Sequence, residues 1–276
     1  MDKIVSFEAI NALVSDVRSL RKGYLTNFFL DKKKHSLWMQ KGEFFFVSFP
    51  GCHFLLHLTK AVNNLFFIAA TQEYLSEGLK TLLPAFPQQL VVDIVGNENI
   101  AVSLKGLFTE QGFHEYETLY RMSRIGTVEY DEVNDPRIES AQEADVQPIL
   151  DMLRAYFNPL SEQLPCQEEI MDFISNQSVR VFRNNGEIGG FIIFEIHGLT
   201  LYWRYWFILP KYREMKIGSR LFNEMLRAAQ DTKRQYFWVI GSNENAIKRY
   251  RHWGFKAENL FDYVLVKPAV ESTPDK

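Results

Sequence analysis

The sequence predicts an α/β (α+β) protein built as two tandem, related domains. Three observations predict it. The stretch Leu199 to Lys256 reads as strand, basic loop, helix, strand and Asn-headed helix, the order of a βαβα unit. The first half repeats that order, and the echo reaches individual residues. Val95-Gly-Asn-Glu-Asn99 and Phe108-Thr-Glu-Gln-Gly-Phe113 match Gly241-Ser-Asn-Glu-Asn245 and Tyr250-Arg-His-Trp-Gly-Phe255, each followed by a strand. Finally, 276 residues at 46% hydrophobic content suffice for two ordinary domains with their own cores.

The elements follow in order. Ile10, Leu13, Val14 and Val17 give a helical spacing across Phe7 to Leu20. Glu43 to Phe49 and His53 to Leu58 read as strands joined by a Pro50-Gly51 turn, and Leu65 to Ala69 as a third. Gln72 to Leu83 reads as a helix ended by Pro84, Gln89 to Val95 as a strand, Asn97 to Gln111 as a helix, and Tyr116 to Ser123 as a strand. The domain is placed at residues 1–126. The acidic, turn-rich stretch 127–136 reads as a linker, 137–268 as the second domain, and 269–276 as a disordered tail. Within the second domain, Asp145 is positioned to cap a helix through Ile149, Leu150 and Leu153. Glu168 to Ser175 reads as a second helix. Val179 to Phe182 and Ile188 to Ile196 form a hairpin around Asn184-Asn-Gly186.

The basic loop Leu209 to Ser219 opens the helix carrying Ile217, Leu221, Met225 and Ala228. First-turn amides have no partner within a helix, and its dipole favours an anion there. Lys211, Arg213, Lys216 and Arg220 add positive charge.

These residues resemble the acyl-CoA-binding core of the GCN5-related N-acetyltransferase (GNAT) family. The family's Gln/Arg-x-x-Gly-x-Gly/Ala loop is matched by Arg213, Lys216 and Gly218 after Pro210, with Lys216 where Gly is usual. A Lys there can still offer its amide if its φ is negative. The later Asn-x-x-Ala-x-x-x-Tyr-x-x-x-Gly-Phe motif is matched by Asn243 or Asn245, Ala246, Tyr250, Gly254 and Phe255. The resemblance implies, for each domain, a mixed, mostly antiparallel central sheet flanked by helices. It also implies an N-acetyltransferase that moves an acetyl group from acetyl-CoA to a primary amine in a ternary complex.

By the same resemblance, Trp206, Phe207 and Ile208 face the pantetheine and thioester. Arg213, Glu214, Met215, Lys216, Ile217, Gly218, Ser219 and Arg220 hold the diphosphate. Asn243 or Asn245 bonds the pantetheine arm, and Tyr250 is the general acid. The strand before the loop shows Tyr202, Arg204 and Trp206 on one face and no carboxylate where many relatives carry a Glu base. Glu195 and His197 are the alternatives, Glu195 preferred, and an ordered water is a third. The Trp203/Tyr205 and Tyr202/Trp206 pairs line either an acceptor pocket or a core. A non-catalytic CoA sensor or interaction module is the competing class.

The first domain lacks the loop. Ala70-Thr-Gln-Glu-Tyr-Leu-Ser-Glu-Gly78 puts Glu73 and Glu77 where a diphosphate would approach, and no cation precedes Lys80 in it. Phe108 stands in the place of Tyr250. The first copy therefore reads as degenerate and non-catalytic.

Composition narrows the rest. A net charge of -3 gives no reason to expect nucleic acid. Cys52 and Cys166 show no ligand spacing, so neither a metal site nor a disulfide is expected. No apolar run nears the ~20 residues of a membrane span, and the first residues lack a signal-peptide pattern. A cytoplasmic protein with a small-molecule or peptide amine substrate is expected, and an oligomer is compatible. The P-loop pattern Gly-x-x-x-x-Gly-Lys-Ser/Thr is absent.

Overall fold

A computed structural model describes residues 1–132 and 135–270. The chain divides into two compact units. The first holds Met1–Leu119, Pro159–Ser161 and Asn259–Lys276, and the second holds Tyr120–Asn158 and Glu162–Glu258. The final strand thus falls with the first unit. Val270 N donates to Pro87 O at 2.8 Å. From residue 271 the expected tail lies outside the described residues.

The first unit runs β1 (Asp2–Lys3), α1 (Phe7–Ser19), β2 (Leu25–Thr26), α2 (Lys32–Lys41), β3 (Phe44–Phe49), β4 (Cys52–Leu58), β5 (Asn63–Ala69), α3 (Gln72–Leu82), β6 (Leu90–Gly96), α4 (Glu98–Glu110) and the start of β7 (His114–Ile125). The second unit holds the rest of β7, then β8 (Ile138–Ser140), α5 (Val146–Tyr156), α6 (Gln167–Ser175), β9 (Val179–Asn184), β10 (Glu187–His197), β11 (Thr200–Ile208), α7 (Ile217–Ala228), β12 (Arg234–Ile240) and α8 (Glu244–His252). β13 (Lys256–Lys267) closes the chain, and Phe261 to Lys267 pair antiparallel with β6.

The strand order is β1-β3-β4-β5-β6-β13 in the first unit and β12-β11-β10-β9-β8 in the second. Most pairs are antiparallel, while β5–β6 and β11–β12 are parallel. The two units therefore repeat hairpin, third strand, helix, parallel strand, helix.

Both faces of each sheet are covered, which is why the strands read as nearly continuous apolar runs. In the first unit Leu55, Phe66 and Ile68 pack with Ile10, Val17 and Trp38 of α1 and α2. Phe54, Leu65 and Phe67 pack with Leu75, Leu79 and Phe108 of α3 and α4. In the second unit Val181, Phe191 and Ile193 meet Ile149, Leu153 and Phe173, and Ile192, Phe194 and Trp203 meet Leu221, Phe222 and Met225.

Two sequence expectations change. Asp145 stands at the N-cap position of α5 but makes no side-chain cap bond. A 3-10 turn, Glu143–Asp145, precedes that helix. The Asp145 carboxylate instead accepts from Gln142 N at 2.7 Å and Arg183 Nη2 at 2.6 Å. Helix α2 is an addition. Its Lys-rich sequence buries only His35 and Trp38, too few positions to set a period, and Asp31 caps it by accepting from Lys34 N at 3.0 Å.

Candidate active site

Strands β11 and β12 begin as neighbours and then part. Their parallel pairing covers Thr200↔Arg234 to Trp203↔Phe237 and stops there. Each strand continues, to Ile208 and Ile240. Beyond Trp203 the β12-facing edge of β11 has no strand partner among the described residues.

At the parting point β11 carries a bulge. Ile193 pairs with Tyr205 and Phe194 with Trp203, which leaves Arg204 as the extra residue. The bulge shifts the side-chain alternation, so Tyr202, Arg204 and Trp206 do not share a face as simple alternation implies. Trp206 and Ile208 join Trp203 on the α7 side. Tyr205 and Phe207 lie on the α5–α6 side, and Arg204 stacks over Phe173 of α6 and over Tyr202. The indole N–H groups of Trp203 and Trp206 are buried without a partner among the described residues. An orphaned donor of this kind costs free energy unless a ligand oxygen meets it.

The basic loop is a 3-10 turn, Pro210–Met215, pinned at both ends. Tyr212 is buried, packs edge-on to Phe182 at 5.3 Å, and accepts from Asn184 Nδ2 at 3.1 Å. Ile217 is fully buried. Between these anchors Arg213, Glu214, Met215 and Lys216 are exposed. Lys216 adopts φ +58°, the left-handed region, so the negative φ on which the contribution of its amide was conditioned is not met. Glycine is the residue that reaches this conformation without a Cβ clash, which explains why the family's motif places one there.

Helix α7 starts without a side-chain cap. Its first helical bond is Arg220 N to Lys216 O, at 3.2 Å. The amides of Ile217, Gly218 and Ser219 therefore have no carbonyl one turn back within α7. Gly218 lies against the parted strands, where an added Cβ would stand 3.2 Å from Trp206 Cζ2. A cavity of about 590 Å³ adjoins this turn, lined in part by Lys216, Ser219, Arg220, Asp135 and Arg137. Asp135 pairs with Arg137 and Arg220, and those guanidinium groups hold its carboxyl well below the usual range. Asp135, in the stretch read as a linker, thus pairs with Arg220 of α7. Asp131 N also donates to Asn223 Oδ1 at 2.6 Å.

Past β12, Asn243 caps α8 by accepting from Ala246 N at 3.2 Å, and Asn245 is exposed in its first turn. Tyr250 lies one turn on. Its ring meets Phe237 at 4.4 Å and Trp203 at 6.1 Å, the last paired residues before the strands part. Burial raises its hydroxyl above the ordinary tyrosine value, with Arg249 opposing. The group stays protonated through neutral pH, as a proton donor must.

Trp206, Ile208 and Tyr250 therefore pack on one core on the α7 side of the sheet, with Gly218 against Trp206, while other residues line the cavity at Lys216. Glu195 does not join that core. Its carboxylate accepts from Arg204 Nη1 at 2.7 Å and lies 3.4 Å from His197 Nε2, on the α6 side of the sheet and opposite Tyr250. The bulge and the docked acidic stretch were missed from sequence. Neither leaves a periodic signal, although Asp131 and Asp135 facing a helix rich in Arg is a pattern of complementary charge.

Residues 146–255 match the model of the acetyltransferase (GNAT) family. This segment of the chain is similar to that family. Solved structures support the fold over a longer span. An acetyltransferase from the GNAT family of Colwellia psychrerythraea aligns over 96% of this chain and 98% of its own, with TM-score 0.55 and 11% identity. A GCN5-related N-acetyltransferase from Sphaerobacter thermophilus covers 82% and 79%, with TM-score 0.56 and 12% identity. A tandem GNAT protein from the clavulanic acid biosynthesis pathway covers 80% of each chain, with TM-score 0.52 and 10% identity. At such identities the likeness concerns the fold. No curated protein matches the sequence significantly. Among the described residues no group of three or more His, Cys, Asp or Glu is arranged to hold a metal ion, and no helix is long and apolar enough to cross a membrane.

Proposed function

We propose that the second unit transfers an acetyl group from acetyl-CoA to a primary amine by direct transfer in a ternary complex. One observation carries this reading. The uncapped start of α7 meets the unpaired part of β11 at Gly218 and Trp206, on the side of the sheet that carries Tyr250. The groups present fit the cofactor: amides for a diphosphate, and a strand edge and orphan indole donors for an amide-bearing arm.

When bound, acetyl-CoA supplies the acyl group as a thioester. The protein's share is binding, orientation and one proton. The amides of Ile217, Gly218 and Ser219, the dipole of α7 and the cations Arg213 and Lys216 bind negative charge. Arg220 joins them by sharing its guanidinium with Asp135. The edge of β11 from Arg204 to Ile208 orients the arm, and Asn243 and Asn245 flank it from α8. Tyr250 holds its phenolic proton for the departing sulfur. Glu195 is turned to the opposite side of the sheet and bound to Arg204, so an ordered water is the proposed base for the amine. We further propose that the first unit is a non-catalytic copy.

Acetyl-CoA titrated into the full chain is expected to saturate. Arg213→Glu, at an exposed position, is expected to weaken it at least 10-fold. Undiminished affinity would remove the anion cradle.

The engagement of Glu195 by Arg204 favours one second reading, a CoA-binding sensor without turnover. A broad amine screen read by thiol release separates the two. Binding with no thiol release on any amine supports the sensor.

A further inference from the structure

The first unit contains the same parted strands, and the chain itself fills them. β5 and β6 are parallel neighbours whose pairing is limited to Asn64↔Val91. In the second unit the corresponding edge stands open. Here β2 lies along it, with Leu25 paired to Ala69 and Thr26 to Ile68. β4 already occupies the opposite edge of β5, so β2 takes the side facing β6.

Side chains complete the closure. Thr26 Oγ1 donates to Phe67 O at 2.6 Å and accepts from Phe28 N at 3.0 Å. Asn27 is 7% exposed and bridges both strands. Its Oδ1 accepts from Phe67 N at 2.7 Å, while Nδ2 donates to Leu65 O at 3.2 Å and to Asp93 O of β6 at 3.0 Å. One carboxamide thus satisfies backbone groups on both walls of the gap. Both ends of the segment are fixed. Gly23 sits at φ +138°, where a Cβ would come within 2.7 Å of Ala70 O. Phe28 stacks on His35 at 4.6 Å.

The anion site is closed as well. Thr71 caps α3 by accepting from Tyr74 N at 3.4 Å, the place left uncapped on α7. Glu73, Glu77 and Glu110 line the hollow of about 510 Å³ between α3 and α4.

We propose that Gly23 to Phe28 is a built-in occupant of a vestigial cofactor cleft. It makes the strand-edge hydrogen bonds that a pantetheine amide would otherwise make, so the chain takes one acyl-CoA, in the second unit only. The proposal rests on the reading of the second unit given above. It assigns the loss of binding in the first unit to the chain's own amide and hydroxyl groups rather than to acidic repulsion alone.

Calorimetric titration of the full chain with acetyl-CoA tests it, using the wild type, Gly218→Trp and the double variant Arg213→Glu/Arg220→Glu. The expected stoichiometry is one in the wild type and none in the variants. The double variant serves if the bulky substitution prevents folding. Two equivalents in the wild type, or one equivalent surviving in either variant, would overturn the proposal. No binding in the wild type would sink the reading of the second unit and leave the closure of the first standing. Asn27→Ala should lower the melting temperature by roughly 5 °C or more, because three buried backbone groups lose their partner, with the acetyl-CoA stoichiometry unchanged. An unchanged melting temperature would contradict the bridging role of Asn27.

Discussion

The two units share one element order and differ in what stands between their parted strands. In the second, β11 leaves β12 after Trp203 and its edge stays unpaired. In the first, Thr26 and Asn27 hydrogen-bond across the equivalent gap. The helices repeat the contrast, since α3 is capped by Thr71 and α7 begins on Lys216 with no side-chain cap. So do the rings one helix on. Phe108 is fully buried and meets Phe113 edge-on at 5.2 Å, whereas Tyr250 carries a hydroxyl and meets Phe237 at 4.4 Å. A satisfied backbone is inert, and an unsatisfied one held rigid is a binding site. The same scaffold yields either, according to a handful of side chains.

Breaking the open side should have the largest effect. Gly218→Trp drives a large ring toward Trp206 and the amides of α7. Acetyl-CoA affinity is expected to fall about 100-fold or more by titration. Tyr250→Phe comes next. The rate constant kcat is expected to drop roughly 10²-fold or more, with KM for acetyl-CoA within a few-fold, in a thiol-release assay. A reversed pattern would make Tyr250 a binding residue. The mirror change Phe108→Tyr should confer no activity on the first unit.

A further contrast concerns acid. His35 and His57 lie in the first unit, where burial lowers them to about 4 and about 3, with Lys34 and Lys41 nearby and Glu43 facing His57 at 3.5 Å. Trp38 stacks on His57 at 3.8 Å. Between about pH 6.5 and these values the unfolded chain takes up protons that the native one refuses. Stability should therefore fall as pH drops through that window, by on the order of 3 kcal/mol for each ring, and level off below it. Denaturant melts from pH 7 to 4 read the slope, and His57→Phe should reduce it. The smallest effect is expected of Lys216→Gly. Relieving the left-handed Lys is worth about 0.5–1 kcal/mol after the cost of a freer unfolded chain.

Sequence patterning located the longer strands and helices α1 and α3 to α8, because both sheet faces are apolar, while the two-residue strands β1 and β2 gave no pattern. The proposed second-unit site rests on two local motifs, the Arg213–Gly218 loop and the Asn243–Phe255 run. What escaped was long-range. Asn27 gives no hint in its neighbours that it will bridge Leu65 and Asp93. The bulge at Arg204 is set by register with β10, and register is not written in one strand. Glu195 was chosen as a carboxylate near the cleft, and the charge of Arg204 claims it. Glu73 and Glu77, expected where a diphosphate would approach, line a hollow with Lys80 between α3 and α4, and β2 pairs with β5.

Amide hydrogen exchange of the full chain, with and without acetyl-CoA, compares both clefts in one experiment. The expected result is new protection at Ile217–Ser219 and along the β11 edge near Trp206, with Leu65–Ala69 equally protected in both states. Protection gained on β5, or none gained at the start of α7, would contradict the assignment of the open cleft to the second unit.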